Sequence, residues 1–255
     1  MEISWDGERQ GIEATNPVWR KWLPSDPTPA QWYDVERFER LAGAHVADDQ
    51  DQQRNRTVRE FIADFRGMSS TKKQRAVLEA TGMSRMALAD LFPGDAADRG
   101  SIARLLAAAK DATKPVRPQD LGIICKEHFA AKFAATGADL KTFNYKKTLR
   151  DDEGIPAVIE VAFGYCPNGP AERRIITGVN WSVGINDPFK GLGPYGQSLD
   201  GILQDLRAGR NEPIVMVVHL GCPRITYTDR GKGSLVLNGE ITEEEPTSSP
   251  ELTDE

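Results

Sequence analysis

The side chains that most often perform chemistry are widely spaced in this chain of 255 residues. There are three cysteines and three histidines: Cys125, Cys166, Cys222, His45, His128 and His219. Metal centres and Cys/His nucleophilic pairs usually show short, regular spacings such as C-x-x-C. No such spacing occurs here, so the pattern favours reduced thiols, as in a cytosolic protein, and indicates neither a metal site nor a nucleophile.

Clustered carboxylates are the next candidates, since two of them together can act as a general acid and a general base. They occur at residues 151–153, in a sequence typical of a turn, and at residues 243–245, in a polar tail. General acid/base catalysis needs partial burial to shift a pKa, and both contexts favour solvated side chains instead. We therefore predict no catalytic site from these residues.

One glycine-rich segment has the pattern of a dinucleotide-binding loop. Gly191, Gly193 and Gly196 satisfy G-x-G-x-x-G. That motif requires a strand before it and a helix that begins at its last glycine. Here a proline interrupts the pattern and turn residues precede it, so we predict an ordinary loop.

Lys232 lies between two glycines in a second such segment, YTDRGKGS. This is not a Walker A sequence, because Thr226 occupies the position of its leading glycine and Gly233 that of its Ser or Thr. An ammonium group on a polar, glycine-flanked loop can still reach an anion outside its own domain. Spacing alone favours a solvated surface lysine over a phosphate ligand.

Charge is unevenly distributed along the chain, whose net charge is −6. Residues 54–150 contain 19 basic and 10 acidic side chains, whereas residues 240–255 contain seven acidic and no basic ones. The basic middle is compatible with phosphate contacts or with a solvated helical surface. The last segment has little apolar content, which predicts a disordered acidic tail.

Segments typical of export or membrane insertion do not occur in the sequence. The first ten residues, MEISWDGERQ, have neither a basic start nor an apolar core, and no run of 18 apolar residues is found. We therefore expect a soluble, cytoplasmic protein.

Residues 16–34 are rich in proline and tryptophan, and we expect them to form an extended arm whose aromatic rings are anchored. After this arm, apolar periodicity predicts helices in the first half of the chain. A helix begins at Val35 and is followed by an exposed polar loop at residues 48–56. Thr57 and Glu60 form a capping-box pattern at the start of the next helix, which ends near residue 66. Three more helices are expected at residues 70–82, 84–92 and 100–113.

β-Branched and aromatic runs separated by turn residues predict strands in the second half. They cover residues 141–148, 155–163, 172–183, 212–220 and 223–229, with one helical pattern at 198–210. This order indicates a helical module followed by an α+β module. The predicted divisions are an arm and first helix (1–53), a helical module (54–120), an α+β domain (121–239) and the tail (240–255).

Five segments carry a resemblance to a known family. They are TVREFIADFRGMSSTKKQRAVLEATGM (57–83), KPVRPQDLGIICKEHF (114–129), IPAVIEVAFGY (155–165), RRIITGVNWSVGINDPF (173–189) and VMVVHLGCPRITYTDRGKGSL (215–235). The first two resemble the start and the exit of the helix-two-turns-helix region in the B subunit of DNA topoisomerase VI. The other three resemble its transducer domain. The resemblance is collinear and covers about residues 55–235.

This resemblance implies both a fold and a role. The fold is α+β, with an N-terminal helix-two-turns-helix-like module followed by an α/β transducer domain of the ribosomal-S5-domain-2-like type. In that family a transducer lysine reaches the γ-phosphate of ATP in a neighbouring GHKL-type ATPase domain. Lys232 matches that lysine, with Thr228 and Asn180 also in register. Hydrolysis removes the γ-phosphate contact and releases the transducer, so the lysine works as a switch.

The sequence also departs from the family pattern. Residues 1–54 contain no E-x-x-x-N box, D-x-G-x-G loop or G-x-x-G-x-G lid, so ATP and Mg²⁺ are expected in a separate GHKL domain and not on this chain alone. The acidic tail stands where the family has a long docking helix, and N-W-S-V at 180–183 replaces N-R-V-P. A truncated or split ATPase polypeptide explains these departures, and so does a diverged binding protein.

The function implied is the transducer portion of a type IIB DNA topoisomerase, which relays an ATP-dependent conformational change. Its partners are then a GHKL ATPase domain and a DNA-cleaving protein similar to the A subunit of topoisomerase VI. The alternative is a DNA-binding or scaffolding module without an ATP-linked role. Its candidate phosphate contacts are Lys72, Lys73, Arg75, Lys146 and Lys147.

Overall fold

The architecture comes from a computed structural model. It describes residues 2–5, 8–11, 20–23, 25–94, 96–169, 171–183, 187–189, 198–227 and 234–235. Within these ranges the fold is α+β, with most helices in the first half of the chain and most strands in the second. None of the helices in these ranges is long and apolar enough to cross a membrane.

The helices are α1 (Val35–Asp51), α2 (Val58–Ala63), α3 (Thr71–Thr81), α4 (Arg99–Ala112), α5 (Lys126–Ala135) and α6 (Leu199–Asp205). Short 3₁₀-helices lie at Ala30–Trp32, Leu88–Leu91 and Pro118–Leu121. The predicted helices at 57–66, 70–82 and 100–113 are confirmed within a few residues. The segment predicted as a helix at 84–92 contains only a 3₁₀-helix.

Hydrogen bonds explain why that segment is not a longer helix. Val58 N donates to Met86 O (3.0 Å), and Leu88 N donates to Arg56 O (2.8 Å). This strand-like pairing requires an extended chain on both sides. It therefore leaves room for only a short helical turn after Met86.

Local sequence signals determine the ends of two helices. The Thr57 hydroxyl accepts from the amide of Glu60 (3.2 Å), and the Glu60 carboxylate accepts from the amide of Thr57 (2.7 Å). These two bonds complete the predicted capping box of α2. Gly82 ends α3 at φ +75°, a left-handed conformation that glycine adopts without steric cost.

Helix α1 continues to Asp51, so the loop predicted at residues 48–56 is wrong in its first part. Asp49 is buried on this extension, and its carboxylate pairs with Arg56 (3.2 Å) and Arg54 (3.3 Å). The two ion pairs compensate for burial of the charge and connect the end of α1 to the chain before α2. Residues 48–56 are all polar or charged, so their sequence does not indicate that the carboxylate of Asp49 is buried.

An aromatic cluster forms the core of the helical region, which comprises α1 to α4. Phe61 packs on Phe38 and Phe65 with ring-centroid distances of 5.3 and 5.4 Å. Ile102 and Leu105 of α4 are fully buried in the same cluster. Burying each such side chain contributes about 1.5–3 kcal/mol, so together they outweigh any single surface ion pair.

The main sheet is mixed, and its strands are β3 (Asn144–Asp152), β4 (Ile155–Tyr165), β5 (Arg174–Val179), β6 (Ser182–Val183) and β7 (Ile214–Gly221). Their spatial order is β3-β4-β7-β5-β6. Neighbours are antiparallel except for β5 and β7, which are parallel and have α6 between them in sequence. The sheet confirms the sequence prediction of an α+β second half.

Two parts of the strand prediction differ from the structure. A separate antiparallel hairpin, β1 (Glu2–Trp5) and β2 (Glu8–Gly11), is absent from the prediction, although the intervening Asp-Gly pair is a hairpin signal. The strand predicted at 223–229 is wrong for the residues described there, since only Tyr227 pairs, in an isolated bridge with Leu235. Pro223 lacks the amide hydrogen that a strand ladder needs.

Both faces of the sheet are covered. On one face, Val158 of β4 packs with Trp32 and Leu121, and Ala162 packs with Phe133 of α5. The alternate side chains of β4 pack in the cluster that contains the buried residues of α6. Because Trp32 ends the 3₁₀-helix that lies just before α1, the first of these contacts joins the helical region to the sheet.

Candidate functional site

Lys232 and Thr228 lie outside the described residues. We call residues 228–233, which include both, the lysine loop. The chain on either side of this loop is described. Tyr227 and Leu235 form an antiparallel bridge, and Leu235 N donates to Pro188 O (2.8 Å). Leu235 is also buried in the cluster between the sheet and α6. The described residues on either side of the loop are thus paired with each other and pack in the cluster between the sheet and α6.

Asn180 lies in the turn between β5 and β6, with φ +47°. Its Oδ1 accepts from Cys222 N (2.8 Å), and its Nδ2 donates to Cys222 O (2.7 Å). Its own amide donates to Leu220 O (2.9 Å). Asn180 therefore connects the turn to the segment that leads from β7 toward the lysine loop, and its role in a nucleotide switch stays a prediction.

The basic residues proposed for DNA binding lie on two different elements. Lys72, Lys73 and Arg75 are exposed on α3, in the helical region. Lys146 and Lys147 are exposed on β3, which is an edge strand of the sheet. A duplex would have to reach both elements to contact all of them.

A cleft of about 590 Å³ opens beside the start of the lysine loop. Its lining comes from the arm and the start of α1, from the β5–β6 turn and from the segment after β7. The cations and tryptophans of this lining are Lys21, Arg37, Arg224, Trp22, Trp32 and Trp181.

Tryptophans of the arm form one part of the cleft. Trp22 and Trp32 lie 5.1 Å apart between ring centroids, and the Arg66 guanidinium lies 4.8 Å from the Trp22 ring. Trp32 is 8% exposed, and its Nε1 has no hydrogen-bond partner among the described residues. A buried donor without an acceptor costs about 1–3 kcal/mol. The prediction that aromatic rings of the arm are anchored is confirmed for these two.

Two arginines of the cleft share one carboxylate. Arg37 and Arg224 lie 3.6 and 3.9 Å from Asp34. One negative charge cannot neutralise two guanidinium groups. Among the described residues, Arg37 and Arg224 therefore carry one more positive charge than Asp34 offsets.

The cleft offers no nucleophile of the cysteine type at neutral pH. Burial raises the pKa of the Cys222 thiol, whose Sγ–H donates to Arg224 O (3.4 Å). The thiolate is the reactive form, and the raised pKa disfavours it. Nor do the described ranges contain a group of three or more His, Cys, Asp or Glu side chains that could hold a metal ion.

The carboxylate of Glu160 is fully buried in the middle of β4 and accepts four hydrogen bonds. Its Oε1 accepts from Cys125 N (2.9 Å) and from the Tyr145 hydroxyl (2.8 Å). Its Oε2 accepts from Ile124 N (2.9 Å) and from His219 Nδ1 (3.3 Å). Four donors around one carboxylate allow its charge to be buried.

These hydrogen bonds control two pKa values. Burial by itself raises the pKa of Glu160, but the hydrogen bonds from His219, the two backbone amides and Tyr145 together lower it below its ordinary value. Burial first, and then the hydrogen bond to Glu160, raise the pKa of Tyr145. The carboxylate thus stays ionised and the phenol stays a donor at neutral pH.

Glu160 stabilises the joint, by which we mean residues 122–125 between the third 3₁₀-helix and α5. Cys125 in the joint has φ +76°, a left-handed conformation that is unfavourable for residues other than glycine. The amides of Ile124 and Cys125 point to the carboxylate at the N-terminal end of α5, where the helix dipole favours an anion. The buried charge therefore supports strained backbone where the chain enters the sheet region.

His219 connects this carboxylate to the cleft. It lies opposite Glu160 on β7, is 3% exposed, and its ring centroid is 4.4 Å from that of Trp181. Its Nε2 has no hydrogen-bond partner within the part of the chain that the structure describes. Since Trp181 lines the cleft, continuous contacts run from the joint through Glu160 and His219 to the cleft.

Glu160 is not among the residues that the sequence pattern singles out. One signal was present, because an acidic residue stands between Val158 and Ala162 at the inward positions of an alternating strand. Its partners Ile124 and His219 lie 36 and 59 residues away in sequence. Such distances cannot be read from motif spacing.

Comparisons with known proteins give limited similarity. No protein-family model matches the chain, and no curated protein matches it. Among solved structures, the chain is similar to the B subunit of DNA gyrase from Myxococcus xanthus, with a TM-score of 0.30 and 15% identity. The match covers 44% of this chain and 34% of that chain, so it spans about a third of the gyrase protein.

Proposed function

We propose that this chain is the transducer portion of a type IIB DNA topoisomerase, in a protein similar to the B subunit of topoisomerase VI. It relays an ATP-dependent conformational change to a DNA-cleaving partner similar to the A subunit of that enzyme. Lys232 contacts the γ-phosphate of ATP that a GHKL domain holds with Mg²⁺, and Thr228 and Asn180 belong to the same switch. The proposal rests on the collinear resemblance over about residues 55–235 and on the anchoring of the lysine loop.

The anchoring of the lysine loop is the observation that carries the proposal. The bridge between Tyr227 and Leu235 closes its base, and the bond from Leu235 to Pro188 holds one end. The Asn180 amide holds the backbone of Cys222 near the other end. A force that reaches Tyr227 or Leu235 acts on the cluster between the sheet and α6, because both side chains pack in it.

The network around Glu160 supplies a path from that sheet to the helical region. β7 leads into the lysine loop, and His219 of β7 donates to Glu160. Glu160 in turn holds the amides of Ile124 and Cys125 in the joint. A shift of β7 therefore changes the support of the joint, which is a physical route for the relay.

Binding to a GHKL ATPase domain taken from a topoisomerase VI B subunit tests the proposal. We expect the full chain to bind that domain at least about tenfold more tightly with adenylyl-imidodiphosphate than with ADP, a difference of about 1.4 kcal/mol. Lys232→Ala should abolish the difference, because the γ-phosphate contact is lost. Surface plasmon resonance with both nucleotides measures it.

Lys141→Ala is the matched control, since Lys141 is an exposed lysine on a turn before β3. It should bind as the unaltered chain does, and Lys232→Arg should keep part of the nucleotide dependence. Binding that does not depend on the nucleotide, or an equal loss in both alanine variants, contradicts the proposal.

DNA binding without an ATP-linked role is the second candidate function. The exposed cations Lys146, Lys147 and Arg150 on the edge strand β3 favour it. Lys146 and Arg150 lie on the same face of this strand and can both contact phosphates of a duplex. Salt-dependent duplex binding separates this candidate from the first.

A further inference from the structure

We propose that the cleft beside the lysine loop binds a nucleotide, with its base against the tryptophans and its phosphate on Arg37 and Arg224. The chemistry is a planar base joined to an anionic phosphate, which a free nucleotide and a unit of a single strand share. The inference does not depend on the proposed role of Lys232, because no described lining residue belongs to the lysine loop.

Hydrogen-bond donors and positive charge favour an anionic ligand. Arg37 and Arg224 have only Asp34 between them as a described carboxylate partner. Nε1 of Trp32 is buried and lacks an acceptor in the described residues. A phosphate supplies several acceptor oxygens and negative charge, and guanidinium groups bind it in a fixed planar geometry.

The tryptophans favour a ligand that also has a planar group. Trp22, Trp32 and Trp181 all line the cleft, and Trp22 and Trp181 are partly exposed there. Stacking of a base on an aromatic side chain is worth about 1–3 kcal/mol. An inorganic anion or an acidic peptide would use the arginines but not these rings, so the cleft suits a nucleotide better than either.

The size and access of the cleft agree with such a ligand. Its volume of about 590 Å³ lies within the range of about 300–1,000 Å³ that is usual for small-molecule sites. Arg37 and Arg224 remain 41% and 38% exposed, so a ligand in solution can reach them. One nucleotide fits these dimensions.

Tryptophan fluorescence of the full chain, titrated with thymidine monophosphate and with a short oligothymidylate, tests the inference. We expect saturable quenching by at least one of the two. The double variant Arg37→Gln/Arg224→Gln should weaken binding at least about tenfold, because it removes the phosphate contacts and leaves the tryptophans in place. Trp22→Leu should weaken binding while keeping the charge, and it tests the site independently if the double variant does not fold.

A matched control removes the same charge elsewhere: Arg85→Gln/Arg207→Gln, at exposed positions in the turns after α3 and α6. It should bind within about twofold of the unaltered chain, with far-UV circular dichroism showing that all variants fold. Binding of the monophosphate as tight as that of the oligomer supports a free nucleotide, and binding of the oligomer alone supports a single strand.

Three outcomes overturn the inference. The first is no saturable quenching by either probe up to about 1 mM. The second is an equal loss of affinity in the control double variant. The third is that inorganic phosphate or a glutamate-rich peptide binds as tightly as the nucleotides, since the rings then contribute nothing.

Discussion

The buried carboxylate of Glu160 connects chain segments that are distant in sequence. Its four donors come from the joint, from β3 and from β7. Removing a buried charged acceptor leaves those donors unsatisfied, which costs far more than loss of a surface ion pair. At the scale of a single residue, Glu160 is thus a position where a small change should have a large structural effect.

Glu160→Gln tests this directly. The amide group presents a donor where the carboxylate had an acceptor, so at least one of the four donors loses its partner. We expect a loss of about 3 kcal/mol in the free energy of unfolding, measured by urea denaturation at neutral pH. Glu172→Gln, at an exposed position, is the matched control and should change stability by less than about 0.5 kcal/mol.

The difference in stability between the unaltered chain and Glu160→Gln should depend on pH. The pKa of Glu160 is lower in the folded chain than its ordinary value of 4.5, so the ionised group stabilises the fold above that pH. This contribution is lost as the pH falls from 4.5 through the lower folded pKa. The stability gap between the unaltered chain and Glu160→Gln should therefore narrow on acidification, and a gap that stays constant contradicts the assignment.

At the scale of elements, two neighbouring helices begin in different ways. Thr57 caps α2 through its hydroxyl and completes a capping box with Glu60. Ser70 occupies the equivalent position of α3, but its side chain makes no capping bond in the part of the chain described. Alanine substitution at the two positions therefore compares the loss of a hydroxyl that makes a capping hydrogen bond with the loss of one that does not.

Thr57→Ala should destabilise the protein by about 1 kcal/mol, because the first-turn amide of Glu60 loses its acceptor. Ser70→Ala should cost much less, since there is no capping bond to lose. Thermal denaturation of the two variants side by side measures the difference. Equal losses of stability in Thr57→Ala and Ser70→Ala would contradict a stabilising contribution from the capping hydrogen bond of Thr57.

These elements show what the sequence could predict. Helix ends marked by Thr57 and Gly82 follow from local chemistry, and the strands follow from alternation, so both were predicted. The continuation of α1 depends on the pairing of Asp49 with Arg56, and the Glu160 network depends on contacts across the fold. Tertiary contacts of this kind leave no local pattern, and for that reason the prediction failed there.

At the scale of the whole molecule, a shared cluster couples the two halves of the described fold. Trp32 from the arm, Val116 and Leu121 from the connection, and Val158 from the sheet pack together. The cleft and the joint both lie beside this cluster, since Trp32 and Leu121 also line the cleft. The arm therefore belongs to the candidate site as well as to the core.

The two candidate functions predict different behaviour with duplex DNA. For a transducer we expect the isolated chain to bind a duplex weakly, and Lys146→Gln/Lys147→Gln to change that affinity little. Fluorescence anisotropy of a labelled duplex over a series of salt concentrations measures this. The DNA-binding module predicts tight binding instead. It also predicts that the slope of the logarithm of the binding constant against the logarithm of the salt concentration becomes shallower by about 0.9 for each lysine replaced.

The edge position of β3 has a consequence for solubility. One side of this strand pairs with β4, and no other described strand pairs with its second side, where backbone groups can join a second sheet. Leu149 is 41% exposed on the strand, and such a side chain favours self-association. Lys146, Lys147 and Arg150 lie on the same strand, and charged side chains on an edge strand disfavour edge-to-edge pairing. The same cations thus protect the protein from aggregation, whatever else they bind.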